Sequence, residues 1–319
     1  MNKTNVFTHP FGKVFIALLA TFLWGSAFPL IKISYQQLSI EKTDSAKQLV
    51  FAGYRFAIAA LLIFAVMLFF RKAVRYQRGS LKAILKVSAL QTVLQYTFFY
   101  LGITFSSGTN ASIIAGTTSF FQILVAHFVY KNDQLSIRKL IGIAIGFCAI
   151  LLSNYQNAEL HDLMNRGGIL LLIAMFFGAW GNVQAKREGA TLDVFYITAY
   201  QMLIGGMLLI IFGAVRAGVL PFVFNGYSFL CLLYLALLSA ASFVLWNNLM
   251  KHNQVGSVSM YLSLIPLFGV MLSSLFLREP FHYVVLISLA LLTIGILIVN
   301  GENKGVKGYG QQNNFHSSS

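Results

Sequence analysis

The chain has 319 residues, of which 57% are hydrophobic and only 10% charged, and its mean hydropathy is +0.73. A soluble domain carries about 25% charged residues, so 23 Lys+Arg and 9 Asp+Glu cannot clothe a water-soluble globule of this size. The 29 Phe and 14 Tyr exclude a disordered chain, and two Cys cannot build a disulfide framework.

What remains is a chain whose main solvent is lipid. A bilayer core takes roughly 20 apolar residues per helical crossing. That ruler predicts about ten crossings, at 14–34, 49–70, 83–104, 109–130, 137–154, 167–186, 194–215, 227–249, 256–277 and 282–299. These segments are too long for barrel strands and lack their strict alternation. The first is also too long for a cleaved leader, since its apolar run continues past Trp24 to Lys32. The tail 301–319 is polar and Gly-rich, and is expected to be disordered.

The net charge of +14 raises nucleic acid as a partner. It is rejected because the basic residues cluster between apolar stretches and do not interleave with aromatics on one face. Clusters of that kind set membrane orientation. With the amino terminus in the cytoplasm, 15 Lys and Arg fall in loops on that side and 5 in loops on the other. The bias predicts both termini in the cytoplasm and an integral protein of the plasma (inner) membrane. The lipid bilayer and a small-molecule solute are the expected partners; the sequence does not indicate an oligomeric state.

The chain resembles itself. Placing Ala20 on Ala174 brings Phe22 onto Phe176 and Lys32 onto Lys186. Placing Phe51 on Ile197 brings Tyr54 onto Tyr200, Arg55 onto Gln201, Tyr100 onto Trp246 and Asp133 onto Glu279. Five crossings per half is an odd number, which inverts the second copy in the membrane, and inverted repeats are a transporter design.

Several motifs sharpen the reading: Phe22-Leu23-Trp24-Gly25-Ser26-Ala27-Phe28, Tyr54-Arg55-Phe56, Leu262-Ser263-Leu264-Ile265-Pro266-Leu267-Phe268 and Leu275-Phe276-Leu277-Arg278-Glu279-Pro280. With them the halves resemble the EamA-type repeats of the drug/metabolite transporter (DMT) superfamily. The resemblance implies an all-α integral membrane protein of about ten transmembrane helices in two inverted five-helix repeats, 14–155 and 167–300. It implies efflux of small metabolites, often amino acids or related compounds. One departure concerns segment four, which has Ser119-Phe120-Phe121 where the family usually has a proline, and so is expected to be less kinked. Another is Asn132-Asp133-Gln134 in place of Arg278-Glu279-Pro280.

None of the nine acids falls in the middle of a crossing, which argues against a carboxylate that exchanges protons for a cationic drug. His127 is the histidine within a crossing; it is either proton-linked or an ordinary helix contact. Arg55 lies about two turns inside segment two. It is either an anion contact or a side chain that snorkels to the headgroups or bonds helix-end carbonyls. Segment three carries a polar stripe, Ser88, Gln91, Thr92, Gln95, Tyr96 and Tyr100, spaced along one face. Such groups would lack partners in lipid, so the face meets other helices or a wet path. Segment eight adds Ser242 and Trp246, segment one Trp24, segment six Trp180 and Asn182, segment four Thr118 and Gln122, and segment nine Ser263 beside Pro266. Together these predict a substrate cavity with aromatic walls and a few amides, suited to an uncharged, zwitterionic or aromatic solute. A carrier of sugars, nucleotide-sugars or organic phosphates is the alternative, and would want Arg55 or Lys86 facing the cavity. No catalytic, cofactor or metal motif is present, which argues against an enzyme; a membrane-embedded enzyme and a non-transport receptor are the rival classes.

Overall fold

The computed structural model describes residues 5–131, 135–155, 166–279 and 283–300. Asp133, Pro280 and the tail 301–319 lie outside the described residues. Within them the chain is helical and has no strand. The elements are α1 (Pro10–Gln37), α2 (Ser45–Phe69), α3 (Leu81–Ser88), a π-helical stretch (Ala89–Leu94), α4 (Gln95–Ile103), α5 (Gly108–Ala115), α6 (Thr118–Val129) and α7 (Ile137–Tyr155). Then follow α8 (Arg166–Glu188), α9 (Val194–Ala217), α10 (Gly226–His252), α11 (Val255–Ser259), a 3-10 turn (Met260–Leu264), α12 (Ile265–Leu277) and α13 (Tyr283–Asn300). Seven continuous helical stretches among the described residues are long and apolar enough to cross a membrane, which makes the chain an integral membrane protein.

Local sequence sets the helix starts. Pro10 opens α1, where its missing N–H costs nothing. Asp44 accepts from the Lys47 N–H at the start of α2. Asn225 and Ser228 form a reciprocal capping box on α10. Ser107 accepts from the Asn110 N–H at the start of α5.

Segments four and nine are both interrupted midway. In segment four the ladder tightens, with the Gly116 N–H bonding Ile113 O and the Thr117 N–H bonding Ile114 O. Segment four, expected to be less kinked for lack of a proline, nevertheless breaks between α5 and α6. The break lies against Pro266 of segment nine. A Cβ on Gly116 would stand 2.8 Å from Pro266 Cγ, so the two interruptions press on each other. In segment nine the 3-10 turn runs into α12, whose second residue is Pro266. Ser263 bonds Ser119 across the same junction at 3.1 Å.

The packing pairs first-half elements with second-half ones. α2 lies along α9 and α7 along α13, α1 meets α10 and α12, and α8 meets α4, α5 and α6. Single contacts repeat with the 146-residue offset. The Tyr54 hydroxyl donates to Val219 O, and the Tyr200 hydroxyl donates to Val74 O. Tyr54 packs on Phe222 at 6.3 Å between ring centres, and Tyr200 on Tyr76 at 6.4 Å.

The helix ends fall into two groups. At the lysine-rich end, Lys72 bonds Asp193 at 2.8 Å and lies 4.1 Å from the centre of the Phe195 ring. Asp193 also caps α9 by accepting from the Phe195 and Tyr196 N–H groups. Partial burial works to raise the Asp193 carboxyl, but the Lys72 hydrogen bond, the backbone N–H groups and the Lys72 charge outweigh it and hold it below its ordinary value. A lowered carboxyl stabilises the fold above the unfolded-state pKa and loses that contribution as pH falls through the folded one. Asp193→Asn is therefore expected to lower the thermal midpoint at neutral pH, and the deficit to wild type to close below about pH 4. The pair is 37% and 44% exposed, so water and salt keep its worth to about 1 kcal/mol or less. A deficit that stays constant with pH would remove the charge from this explanation.

Candidate functional site

The middle of the molecule holds a cavity of ≈ 60 Å³ where helices of both halves meet. Six residues expected from the sequence line it: Trp24, Arg55, Gln95, Tyr96, Thr118 and Asn182. They come from α1, α2, α4, α6 and α8, so no one helix builds the site. Phe28, Phe99, Met175 and Phe243 complete most of the apolar wall. The sequence reading did not assign these four to the cavity. The signal was present in the spacing, because Phe28 stands one turn from Trp24, Phe99 one turn from Tyr96, and Phe243 one turn from Trp246. The rings interlock, Trp24 edge to face with its neighbours and Tyr96 tilted on Phe56. Trp24 meets Phe243 at 5.4 Å and Trp246 at 5.6 Å, and Tyr96 meets Phe56 at 4.3 Å.

Gln95 follows the π-helical stretch, which holds one extra residue per turn and so turns the face of α4 relative to α3. Its amide lies flat on Gly178 of α8, where a Cβ would stand 2.6 Å from Cδ and Nε2. Gln95 and Trp24 line the cavity, and Gln95 Oε1 and Trp24 Nε1 are a buried acceptor and a buried donor with no protein partner among the described residues.

Towards the lysine-rich end the floor is an amide network. Gln91 Nε2 donates to Asn182 Oδ1 at 2.7 Å and to Asn247 Oδ1 at 3.3 Å. Asn182 Nδ2 donates to Gln122 Oε1 at 2.7 Å, and Gln122 Nε2 donates to Ser259 Oγ at 2.7 Å. Asn247 Nδ2 donates to Thr198 Oγ1 at 3.1 Å. Every member of this plug is neutral. It ties α6, α8, α9, α10 and α11 to the π-helical stretch of segment three.

Arg55 does not snorkel. It is 1% exposed and lines the cavity from α2. Its Nε donates to Ser239 Oγ at 2.7 Å and to Leu235 O at 3.2 Å, and its Nη1 donates to the Tyr100 hydroxyl at 3.1 Å. The guanidinium also lies 5.2 Å from the Phe56 ring centre and 5.6 Å from that of Tyr96. Among the described residues no carboxylate pairs with it.

The other candidates fall outside the cavity lining. Tyr100 is buried behind Arg55 and holds it. Gln122 lies in the amide plug. Ser242 is buried on α10. Trp246 is buried behind Trp24, and Ser263 lies at the α5–α12 junction. Trp180 is 40% exposed, in an outer apolar groove with Phe121, Phe128 and Phe176. His127 accepts from the Leu135 N–H near the lysine-rich end. Lys86 lies 3.9 Å from Glu188, on the far side of the plug. No three His, Cys, Asp or Glu come together among the described residues.

Comparison with known proteins agrees with this architecture. A transporter of Archaeoglobus fulgidus named only as uncharacterized is 28% identical over 266 residues, covering 82% of this chain and 88% of the relative. The uncharacterized transporter YvbV of Bacillus subtilis is 26% identical, covering 92% and 94%. A protein of Chlamydia muridarum named as an S-adenosylmethionine/S-adenosylhomocysteine transporter is 24% identical, covering 93% and 94%. One crystal structure superposes with a TM-score of 0.68 over 92% of this chain and 98% of its own, at 14% identity, a likeness of fold alone. The profile of the EamA-like transporter family matches residues 12–155 and again residues 165–301. With both halves matched in turn, the chain belongs to the EamA-like transporter family.

Proposed function

We propose that the chain is a secondary transporter that exports small metabolites, amino acids or related solutes, by alternating access. The observation that carries this reading is the central cavity, lined by residues of both halves, with aromatic walls and polar side chains whose buried atoms lack protein partners among the described residues. A water needs about 10–15 Å³ of such space, so ≈ 60 Å³ holds a few waters and no metabolite. A metabolite therefore needs a wider cavity than this one, which parting of the halves would provide. Ten crossings in two inverted five-helix repeats, 14–155 and 167–300, would allow that motion from either side. The offset pairs Tyr54–Val219 and Tyr200–Val74 support such a two-fold relation. The loop charges support a cytoplasmic lysine-rich end, with both termini there. On this reading the amide plug closes the cavity from the cytoplasm. A membrane-embedded enzyme would need a reactive constellation of side chains, and a receptor would need no polar cavity between the halves.

The names of the chlamydial relatives fit the same site. S-Adenosylmethionine is itself an amino acid that bears an adenine, and the rings of Trp24, Phe28, Tyr96 and Phe243 offer stacking faces for such a plane. The unpaired Arg55 also supports the second reading, a carrier of nucleotide-sugars or organic phosphates.

Counterflow into proteoliposomes tests the activity. Labelled solute outside, with excess unlabelled solute inside, should accumulate only where the protein is present. Gln95→Ala and Tyr96→Ala are each expected to slow exchange about tenfold or more while the protein stays folded. Full exchange in both would take segment three out of the path.

A further inference from the structure

We propose that Arg55 is the anion anchor of the cavity, and that the solute carried presents a single carboxylate to its guanidinium. This deepens the transport reading and rests on it.

Guanidinium carries five N–H donors in a rigid fork. The protein occupies Nε and one N–H of Nη1. It supplies no acceptor to Nη2 among the described residues, although the side chain is 1% exposed. Every acceptor present is neutral: a carbonyl, a serine and a tyrosine. A buried charge left in this state is costly, and a ligand of opposite charge relieves that cost.

A purely structural arginine would explain the three bonds, because they tie α2 to α4 and α10. The repeat argues otherwise. The 146-residue offset places Gln201 of α9 where α2 has Arg55. Gln201 makes a comparable cross-tie between the halves, accepting from Thr92 of segment three. A neutral amide therefore serves the packing role in one half. The charge is confined to the half whose side chain reaches the cavity.

The rest of the site narrows the ligand. One guanidinium pairs with one carboxylate group, whether or not the solute also bears an ammonium, while a phosphate with about two negative charges at neutral pH would leave one without a partner. A carboxylate also matches the fork with two oxygens in plane. Gln95 Oε1, an unpartnered acceptor in the same cavity, suits an ammonium on that solute. The class is a zwitterionic amino acid, or an organic acid, with a flat or apolar remainder.

The experiment is counterflow with labelled amino acids and S-adenosylmethionine, beside their methyl esters, their decarboxylated amines and simple organic phosphates. Wild type should exchange an acid and reject its methyl ester. Arg55→Gln should raise the half-saturating concentration about 30-fold or more, with a thermal midpoint near wild type. Arg55→Lys, which keeps the charge and loses the fork, should fall between. Equal exchange of ester and acid by wild type would overturn the proposal without any variant, so misfolding of Arg55→Gln leaves it decidable. An unchanged half-saturation in a folded Arg55→Gln, or exchange of phosphates only, would also overturn it. If nothing in the panel exchanges, the transport reading fails separately, and thermal shift of the purified protein with the same solutes decides the anchor. Stabilisation of wild type but not of Arg55→Gln by an acid keeps the proposal; stabilisation by none removes it.

Discussion

Gly206→Leu is expected to abolish folded protein, or to lower its thermal midpoint more than any cavity substitution. The reason is backbone contact between α2 and α9. A Cβ on Gly206 would stand 2.8 Å from Ala57 N and 2.9 Å from Gly53 O. The contact is mutual, since a Cβ on Gly53 would stand 2.7 Å from both Gly206 O and Ile210 N. Two turns on, a Cβ on Gly213 would stand 2.5 Å from Ala46 O. Three glycines thus hold two long helices at a separation that no side chain permits. Lipid tails are as apolar as leucine, so membrane helices associate largely through such close packing. A leucine cannot rotate away from a backbone atom, and the helices must part along their length. The cost is about 3 kcal/mol or more, a large share of a typical stability. Gly226→Ala is the control: nothing lies within 4 Å of a Cβ there, at the first residue of α10. Fluorescence-detected gel filtration and thermal unfolding in detergent would measure both. A Gly206→Leu protein as monodisperse and as heat-stable as Gly226→Ala would show that α2 and α9 do not depend on this contact.

Glycine within a membrane segment points to close packing, but what Gly206, Gly53 and Gly213 pack against is set by the tertiary fold. The same holds across the molecule. The apolar runs mark the helices, since length and hydropathy are local properties. Depth and facing are not local. A membrane helix is apolar on both its lipid face and its protein face, so periodicity separates them poorly. Trp180 shows this. It looked like a cavity tryptophan and lies on the outer surface, while Phe243, one more apolar residue among many, forms the wall. Arg55 shows the converse. Ten residues into its helix it was within reach of the headgroups, yet Ser239, Leu235 and Tyr100, distant in sequence, hold it inward. The amide plug was half legible. Gln91, Gln122 and Asn182 stood out as polar groups in apolar surroundings, but only the tertiary fold joins them to Asn247, Thr198 and Ser259.

Glu279→Ala is expected to loosen the end of the molecule opposite the lysines and to expose the cavity from that side. Glu279 follows α12, after Arg278 has turned the chain with a left-handed φ of 55°. Its Oε1 accepts from the Gly108 N–H at 2.8 Å. Its Oε2 accepts from the Thr109 N–H at 2.8 Å and from the Thr109 hydroxyl at 2.6 Å. A carboxylate of the second half thus caps α5 of the first, where free N–H groups and the helix dipole favour negative charge. Lys32 and Arg278 border the same recess. Lys32 stands one turn beyond Phe28 on α1, so this clasp lies over the route from that end to the cavity wall. Loss of the cap costs about 2 kcal/mol. If the bonds form only while this end is shut, about 2 kcal/mol raises the open-to-shut ratio roughly 30-fold. A reporter cysteine at Phe28, buried at 3% exposure, measures this once Cys148 and Cys231 are replaced. Its modification by a membrane-impermeant thiol reagent added at this end should be slow with Glu279 present and at least tenfold faster with alanine there. Glu279→Gln should lie between, because its amide oxygen still accepts one N–H while its amide nitrogen faces another donor. Equal labelling rates in all three proteins would mean that Glu279 caps a helix and does nothing to hold the two halves together.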